Sequence, residues 1–292
     1  MLHFVLVAAW VLLVATMCTS SAAASQAPIV TRVLRLVDGS RSIRLPDGRV
    51  VARPVTTYVR YPGSGNGPWP LVVFGHGYAA TPGIYAHLLR AWTLAGYVVA
   101  APLFPLGNAH APGGPDEADI VNQPRDISFA ISRLLAASRT RTSALHGLVD
   151  ASRIAVTGQS DGGETAFAAA YDPAYRDPRI DAAIILSGAQ LPGVAFRFPH
   201  RIVPLLAVQG TADRVNPPSY TYAFYNAAPR PKFLLTLRGA AHLLPYTTEE
   251  PQLGIVERVT TAFLDRYLKH GSLNQVEQAA DAPGAATLVK AP

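Results

Sequence analysis

A serine set between glycines is the part of this sequence best suited to carry out a reaction. The segment Gly-Gln-Ser-Asp-Gly at residues 158–162 follows an apolar run at residues 153–157 and precedes an alanine-rich stretch at residues 164–171. A strand, a tight turn and a helix in this order are typical of a nucleophile elbow, which exposes the serine hydroxyl at the edge of a sheet. The alternative is an ordinary turn in which Ser160 caps the helix. We interpret Ser160 as a nucleophile.

A serine nucleophile needs a base, and that base needs an acid to orient it. Asp213 follows an apolar run at residues 203–208, and His242 follows another at residues 233–237. Because parallel strands end at the same edge of a sheet, we expect both side chains to approach Ser160. The sequence therefore predicts Ser160, Asp213 and His242 as catalytic residues.

Other assignments of the acid and the base fit less well. The alternative role for Asp213 is to stabilise a turn or cap a helix, and Asp181 competes with it weakly because it begins a strand. The alternative role for His242 is a hydrogen bond to loop backbone. The remaining candidate histidines precede the serine or end no strand: His76, His87, His146 and His200.

Hydrolysis through a serine also requires two backbone N–H groups that stabilise the developing oxyanion. One should belong to Asp161, directly after the nucleophile. The other should come from the loop after the apolar run at residues 71–74, and we assign it to Tyr78. Gly75 and Gly77 allow the backbone of this loop to approach a substrate closely.

Two acidic residues follow Ser160 in the first turn of the predicted helix. Asp161 and Glu164 lie where the helix dipole stabilises a negative charge, which is a sufficient structural reason for both. The functional hypothesis is that their carboxylates disfavour substrates with anionic acyl groups.

Composition limits the possible classes of function. The 292 residues are 49% hydrophobic and 15% charged, which suits one large globular domain. The net charge is +6, but no run of five basic residues occurs, so a nucleic-acid surface is not expected. The histidines show no metal-binding spacing. We expect a monomer with neither metal nor other cofactor.

The first 24 residues have the pattern of a signal peptide. Residues 2–17 are almost entirely apolar, and the alanines at residues 22–24 form a small-residue cleavage site. The alternative is an uncleaved signal anchor, because no Lys or Arg precedes the apolar run. A lipoprotein signal at Cys18 fits poorly after Met17. The pattern predicts a secreted, periplasmic or cell-envelope protein whose cleaved form retains no cysteine.

Strands that alternate with helices predict an α/β fold with a mostly parallel sheet and helices on both faces. The predicted strands are residues 29–37, 50–60, 71–74, 97–101, 153–157, 180–186, 203–208 and 233–237. The predicted helices are residues 84–95, 127–137, 164–171, 220–227 and 250–268. The first two strands should form an antiparallel hairpin at one edge. We expect a catalytic domain at residues 28–270 and a disordered tail at residues 271–292.

Two connecting segments bear on access to Ser160. Residues 187–202 are too few for a helical lid, so we expect no large cap domain. The loop at residues 104–123 is longer and contains Asp116, Glu117 and Asp119. It either shapes the entrance to the site or is a solvated connection.

The motifs resemble those of the α/β-hydrolase fold, in the group that holds dienelactone hydrolases, chlorophyllases, platelet-activating-factor acetylhydrolases and cutinase-like polyester hydrolases. The resemblance rests on residues 75–78, 94–100, 158–163 and 210–217, and it covers roughly residues 50–268. The order serine, aspartate, histidine is also the order that α/β-hydrolases use. The resemblance implies that the chain hydrolyses small or polymeric carboxylic esters through an acyl-enzyme, without a cofactor.

The chain departs from the polyester hydrolases at the elbow. Those enzymes usually have an aromatic residue or His before the serine and Met after it, whereas this chain has Gln159 and Asp161. Many of them also have a disulfide, which a chain with one cysteine cannot form internally. Two other functions are compatible with the sequence, a peptidase or amidase on the same fold and a non-catalytic secreted binding protein.

Overall fold

One large sheet flanked by helices forms the body of the molecule. The computed structural model describes residues 28–65, 67–195, 197–198 and 203–292. Its strands are β1 (Ile29–Arg44), β2 (Val50–Pro62), β3 (Trp69–Gly75), β4 (Val98–Pro102), β5 (Val149–Gln159), β6 (Ala182–Leu186), β7 (Leu205–Gly210), β8 (Lys232–Leu237) and β9 (Ala286–Ala291). Its α-helices are α1 (Ala86–Leu94), α2 (Gln123–Arg139), α3 (Asp161–Tyr171), α4 (Pro218–Ala227), α5 (Gln252–Leu268) and α6 (Leu273–Ala279).

The topology of the sheet follows the alternation of strands and helices. Within the described residues the strand order is β1-β2-β4-β3-β5-β6-β7-β8-β9. Strands β3 to β8 pair in parallel. Strands β1 and β2 form an antiparallel hairpin that joins the sheet through an antiparallel pairing of β2 with β4. The predicted fold class is confirmed, and the predicted site residues follow the carboxyl ends of parallel strands.

Two apolar cores lie on opposite faces of the sheet because successive side chains of a strand alternate between faces. In β3, Leu71 and Val73 pack into the core that α2, α3 and α4 cover. Val72 and Phe74 pack into the other core, which α1, α5 and α6 cover. Burial on both faces explains why this strand reads as a continuous apolar run rather than an alternating pattern.

The C-terminal segment differs from the prediction of a disordered tail. Residues 271–292 include α6 and β9, and β9 pairs antiparallel with β8 along the edge of the sheet. Ser272 begins α6 with a capping box, in which its hydroxyl accepts the Gln275 N–H and the Gln275 side chain accepts the Ser272 N–H. Val276 and Ala286 are buried. The prediction was wrong because it weighed composition and missed this cap and these apolar contacts.

A cluster of buried charges fastens the loop at residues 104–123 to the sheet. We call Arg41, Arg53, Asp119 and Asp126 the Arg53 cluster. The Arg53 guanidinium donates to both carboxylate oxygens of Asp119, at 2.9 and 2.6 Å, and to both of Asp126, at 2.8 and 2.7 Å. Arg41 Nη2 adds a contact of 2.7 Å to Asp126. These ion pairs join β1 and β2 to the loop and to α2.

The loop at residues 104–123 is also more regular than the sequence suggested. A 3₁₀-helix spans Glu117–Asn122, capped by the Asp116 carboxylate, which accepts the Ala118 N–H. Helix α2 then begins at Gln123, four residues before the predicted start at residue 127, because Pro124 lies in its first turn, where a proline is tolerated.

The predicted signal peptide at residues 1–24 lies outside the described residues. Across the part of the chain that the structure describes, no helix is both long and apolar enough to cross a membrane. The same residues contain no group of three or more His, Cys, Asp or Glu side chains placed to hold a metal ion.

Candidate active site

Ser160 lies in a sharp turn between β5 and α3. Its backbone has φ 58° and ψ −123°, a combination of dihedral angles that residues other than glycine rarely adopt. The turn packs tightly, since a Cβ added at Gly158 would overlap the Gly162 carbonyl and one added at Gly162 would overlap the Gly75 carbonyl. The Ser160 side chain makes no capping hydrogen bond to α3. The helix begins at Asp161 rather than at the predicted residue 164, so the turn is an elbow and not a serine cap.

The structure brings the three predicted side chains into one hydrogen-bonded chain. His242 Nε2 lies 3.0 Å from Ser160 Oγ, and His242 Nδ1 lies 2.8 Å from Asp213 Oδ2. Asp213 follows the end of β7 and His242 follows the end of β8, at the same edge of the sheet as Ser160. This geometry is what a serine nucleophile, its base and an orienting acid require.

Asp213 makes two kinds of contact at once. One carboxylate oxygen faces the imidazole, while Oδ1 accepts the N–H groups of Val215 and Asn216, both at 2.9 Å. Burial alone would raise the pKa of the Asp213 carboxyl, but the hydrogen bonds from His242 and from the Asn216 N–H outweigh it and hold the pKa below its ordinary value. The turn-stabilising role therefore coexists with the contact to His242, and the carboxylate stays ionised.

The competing residues have structural contacts of their own. Asp181 Oδ2 accepts the Ile154 N–H at 3.1 Å, at the opposite end of the strands from Ser160. His76 is buried, and its ring nitrogens contact the Gly77 carbonyl and the Phe104 N–H. Burial lowers the pKa of His76 to about 4, so it stays neutral and fixes the loop.

Gln159 is a residue of the site whose contacts the sequence did not reveal. Its side-chain amide donates to the His242 carbonyl at 3.0 Å and lies 3.2 Å from His242 Nε2. The Tyr85 hydroxyl donates to Gln159 Oε1 at 2.8 Å and accepts the Gly77 N–H at 3.2 Å. Gln159 and Tyr85 therefore connect the elbow, the histidine loop and the loop that carries Tyr78.

A cleft of about 380 Å³ opens in front of the serine. It is lined by Tyr78, Glu117, Ser160, Asp161, Ala189, Gln190, Leu191, Val215, Asn216, Tyr220 and His242. The Tyr78 hydroxyl donates to the Pro115 carbonyl at 3.1 Å, which ties the two loops on that side together. The loop at residues 104–123 thus contributes Glu117 to the wall of the cleft.

The two predicted oxyanion donors both border this cleft. Asp161 is the first residue of α3, so its N–H has no acceptor within the helix. In the other loop, the N–H groups of Ala79 and Ala80 are bound by the carbonyls of Gly107 and Gly77. The role of the Tyr78 and Asp161 N–H groups stays a prediction.

The two carboxyls in the first turn of α3 differ in their surroundings. Both oxygens of Glu164 accept the Leu191 N–H, at 2.9 Å. The Oδ2 atom of Asp161 is buried and has no hydrogen-bond partner among the described residues. Burial, reinforced by the charge of Glu117, raises the pKa of Asp161 to about 7 against a smaller opposing effect of His242. Burial likewise raises the pKa of Glu164 to about 8, although its bond from Leu191 opposes the shift.

The fold and the families that match the chain define its class. The parallel sheet with a serine elbow after β5 is that of an α/β-hydrolase. The family model described as Chlorophyllase matches residues 41–187, and the one described as PET hydrolase-like matches residues 116–276. Each match spans half of the chain or slightly more, so the chain belongs to the α/β-hydrolase serine esterases that these families represent. It is a carboxylic ester hydrolase. No curated protein matches the chain.

Proposed function

We propose that the chain is an exported serine esterase that works through Ser160, His242 and Asp213 and forms an acyl-enzyme. The observation that carries the proposal is the pair of contacts at His242, 3.0 Å to the serine oxygen and 2.8 Å to the aspartate oxygen. A base that touches both the nucleophile and an ionised acid is the arrangement that activates a hydroxyl group.

The reaction then proceeds in two halves. Ser160 Oγ attacks the ester carbonyl while His242 Nε2 takes its proton, and the N–H groups of Tyr78 and Asp161 stabilise the oxyanion. His242 returns the proton to the departing alcohol, which leaves an acyl group on Ser160. In the second half, His242 takes a proton from a water molecule that attacks the acyl group, and it then returns this proton to Ser160 Oγ as the acid is released.

The cleft supports small or extended esters as substrates. The names of the two matching families refer to chlorophyll and to the polyester PET as esters that their members act on. We favour simple esters over the polymer because Gln159 and Asp161 stand where polyester hydrolases have other residues. The apolar leader supports export, and the test is whether the protein is found outside the cytoplasm with a mass that corresponds to cleavage after Ala24.

A panel of nitrophenyl esters from acetate to palmitate tests the proposed function. We expect release of nitrophenol by the native enzyme, labelling of Ser160 by a fluorophosphonate probe, and loss of both in Ser160→Ala. Matched nitroanilides should react far more slowly, which separates an esterase from an amidase. A folded native protein that neither hydrolyses any ester nor reacts with the probe would contradict the proposal.

A further inference from the structure

The wall of the cleft beside the nucleophile is acidic. Asp161 follows Ser160 directly, and Glu117 reaches the same cleft from the loop that the Arg53 cluster holds. Among the described residues that line the cleft there is no Lys or Arg, and His242 is the one basic side chain. The chain as a whole has a net charge of +6. The local charge of the cleft is therefore opposite to that of the whole protein.

Asp161 is the residue on which the interpretation of this acidic wall mainly depends. Asp161 borders the cleft although it is only 4% exposed, and its Oδ2 atom, itself buried, has no hydrogen-bond partner in the described part of the chain. Burying an acid without a partner is costly, and the position of Asp161 in the first turn of α3 does not offset that cost, because its pKa is still raised to about 7. Glu164, one helical turn further, shows the contrasting case of a carboxyl whose oxygens both accept a backbone N–H.

Aromatic side chains complete the wall. Tyr78 is 42% exposed and borders the cleft, and Tyr220 lines it together with Asp161 and Glu117. Carboxylates and aromatic rings around one cavity are the combination that accommodates an ammonium group, through charge attraction and through the ring faces.

We propose that this acidic wall is a substrate subsite that selects esters carrying a positively charged ammonium group close to the ester bond and rejects esters carrying a carboxylate there. The inference rests on the proposed esterase activity of Ser160 and adds the substrate class. Asp161 and Glu117 supply the negative charge, and Tyr78 and Tyr220 supply ring surface for the alkyl groups of the ammonium. An anionic ester is attracted by the net charge of the protein but repelled at the site of reaction.

The test uses three nitrophenyl esters with the same acyl spacer, which ends in a trimethylammonium group, in a tert-butyl group of nearly equal size, or in a carboxylate. At about pH 8 the Asp161 carboxyl, with its pKa of about 7, is mostly ionised. We expect kcat/KM to fall about tenfold from the cationic to the neutral ester and about tenfold again to the anionic ester. The ratio between esters is the readout, because it does not depend on the amount of active enzyme.

Two variants remove the proposed charges one at a time. Asp161→Asn should lower the cationic-to-neutral ratio of kcat/KM from about ten to about three or less. Glu117→Gln should lower the same ratio by a factor of about two. Asp116→Asn is the matched control, because it removes the same charge from an exposed residue next to Glu117 that does not line the cleft. The control should leave the ratio unchanged. If Asp161→Asn does not fold, Glu117→Gln on the exposed loop decides the question.

The outcomes separate the two proposals. Equal kcat/KM for the cationic and neutral esters, with both reactions abolished in Ser160→Ala, would overturn the substrate subsite and leave the esterase intact. A ratio that neither Asp161→Asn nor Glu117→Gln changes would overturn it as well. If Ser160→Ala hydrolysed the esters as fast as the native enzyme, the proposed function would fail and the subsite with it.

Discussion

Two groups of buried acidic residues in this molecule differ in whether a basic side chain neutralises them. In the Arg53 cluster, Asp119 and Asp126 are buried and each has a guanidinium within 3 Å. In the cleft, Asp161 is equally buried but its Oδ2 atom has no hydrogen-bond partner among the described residues, and the neighbouring charge that shifts its pKa most is that of another acid, Glu117. The first arrangement fixes a loop, and the second leaves an unpaired carboxyl next to Ser160, the proposed nucleophile.

The difference teaches where buried charge serves stability and where it serves function. A buried carboxylate that is fully paired holds two elements in one relative position, although the pair itself gains little over apolar packing. A buried carboxylate that is left unpaired raises its own pKa and weakens the fold at high pH. Acids with strongly raised pKa values cluster at functional sites.

The largest expected effect comes from breaking the paired group. Arg53→Met leaves Asp119 and one side of Asp126 buried without their guanidinium, and we expect the free energy of unfolding to fall by about 3 to 5 kcal/mol. Urea unfolding followed by tryptophan fluorescence measures it. A loss below about 1 kcal/mol would show that the cluster is solvated and that the comparison does not hold.

Replacing the unpaired acid Asp161 should have a smaller effect, and it should raise rather than lower the free energy of unfolding at neutral pH. The pKa of Asp161 is raised from 3.8 to about 7, so the native state binds this proton more tightly than the unfolded chain does. Stability therefore falls as the pH rises from about 4 to about 7, and Asp161→Asn should remove about 1 to 3 kcal/mol of that decline. Unfolding free energies measured at both ends of this range give the slope. Identical slopes in the variant and the native protein would contradict the burial of the charge.

Substitutions of Glu164, whose carboxyl is buried but accepts one backbone N–H, should change the free energy of unfolding less than the two preceding ones. At about pH 6 its carboxyl is protonated, since its pKa is raised to about 8, and Glu164→Gln then replaces one neutral acceptor by another. We expect no measurable change for Gln at this pH, and a loss of about 1 kcal/mol for Glu164→Ala, which leaves the Leu191 N–H without its acceptor. Equal losses in both variants would show that the carboxyl group itself, which Gln does not reproduce, is required, and that an acceptor for the Leu191 N–H is not sufficient.

The smallest effect is expected at the surface. Arg153 and Asp150 form an ion pair of 2.6 Å, with side chains 33% and 17% exposed. Solvent screens such a pair, so Arg153→Met should cost less than about 1 kcal/mol in the same urea experiment. A cost equal to that of Arg53→Met would mean that burial does not set the strength of these ion pairs.

The sequence predicted that these three side chains come together because each lies at or shortly after the carboxyl end of an apolar strand. Parallel strands place their carboxyl ends together, so Ser160, Asp213 and His242 could be assigned without knowledge of any contact. A strand followed by a turn with a reactive side chain can be recognised in the sequence because the pattern involves only a few consecutive residues.

Contacts between distant parts of the chain could not be predicted in the same way. Gln159 meets His242 across 83 residues, and Arg53 meets Asp126 across 73. Nothing in the spacing of these residues marks them as partners, since their contact depends on how several elements pack. Strand β9 was missed for a related reason, because its partner β8, rather than its own composition, makes it a strand.

The tightly packed glycines of the elbow separate positions of the site that do not tolerate substitution from positions that do. Any side chain at Gly158 or Gly162 would collide with backbone, so randomising them would mostly yield unfolded clones. Glu117 is exposed and Leu191 is half-buried where they border the cleft. A small library at these two positions would therefore change which esters are accepted while leaving Ser160 in place.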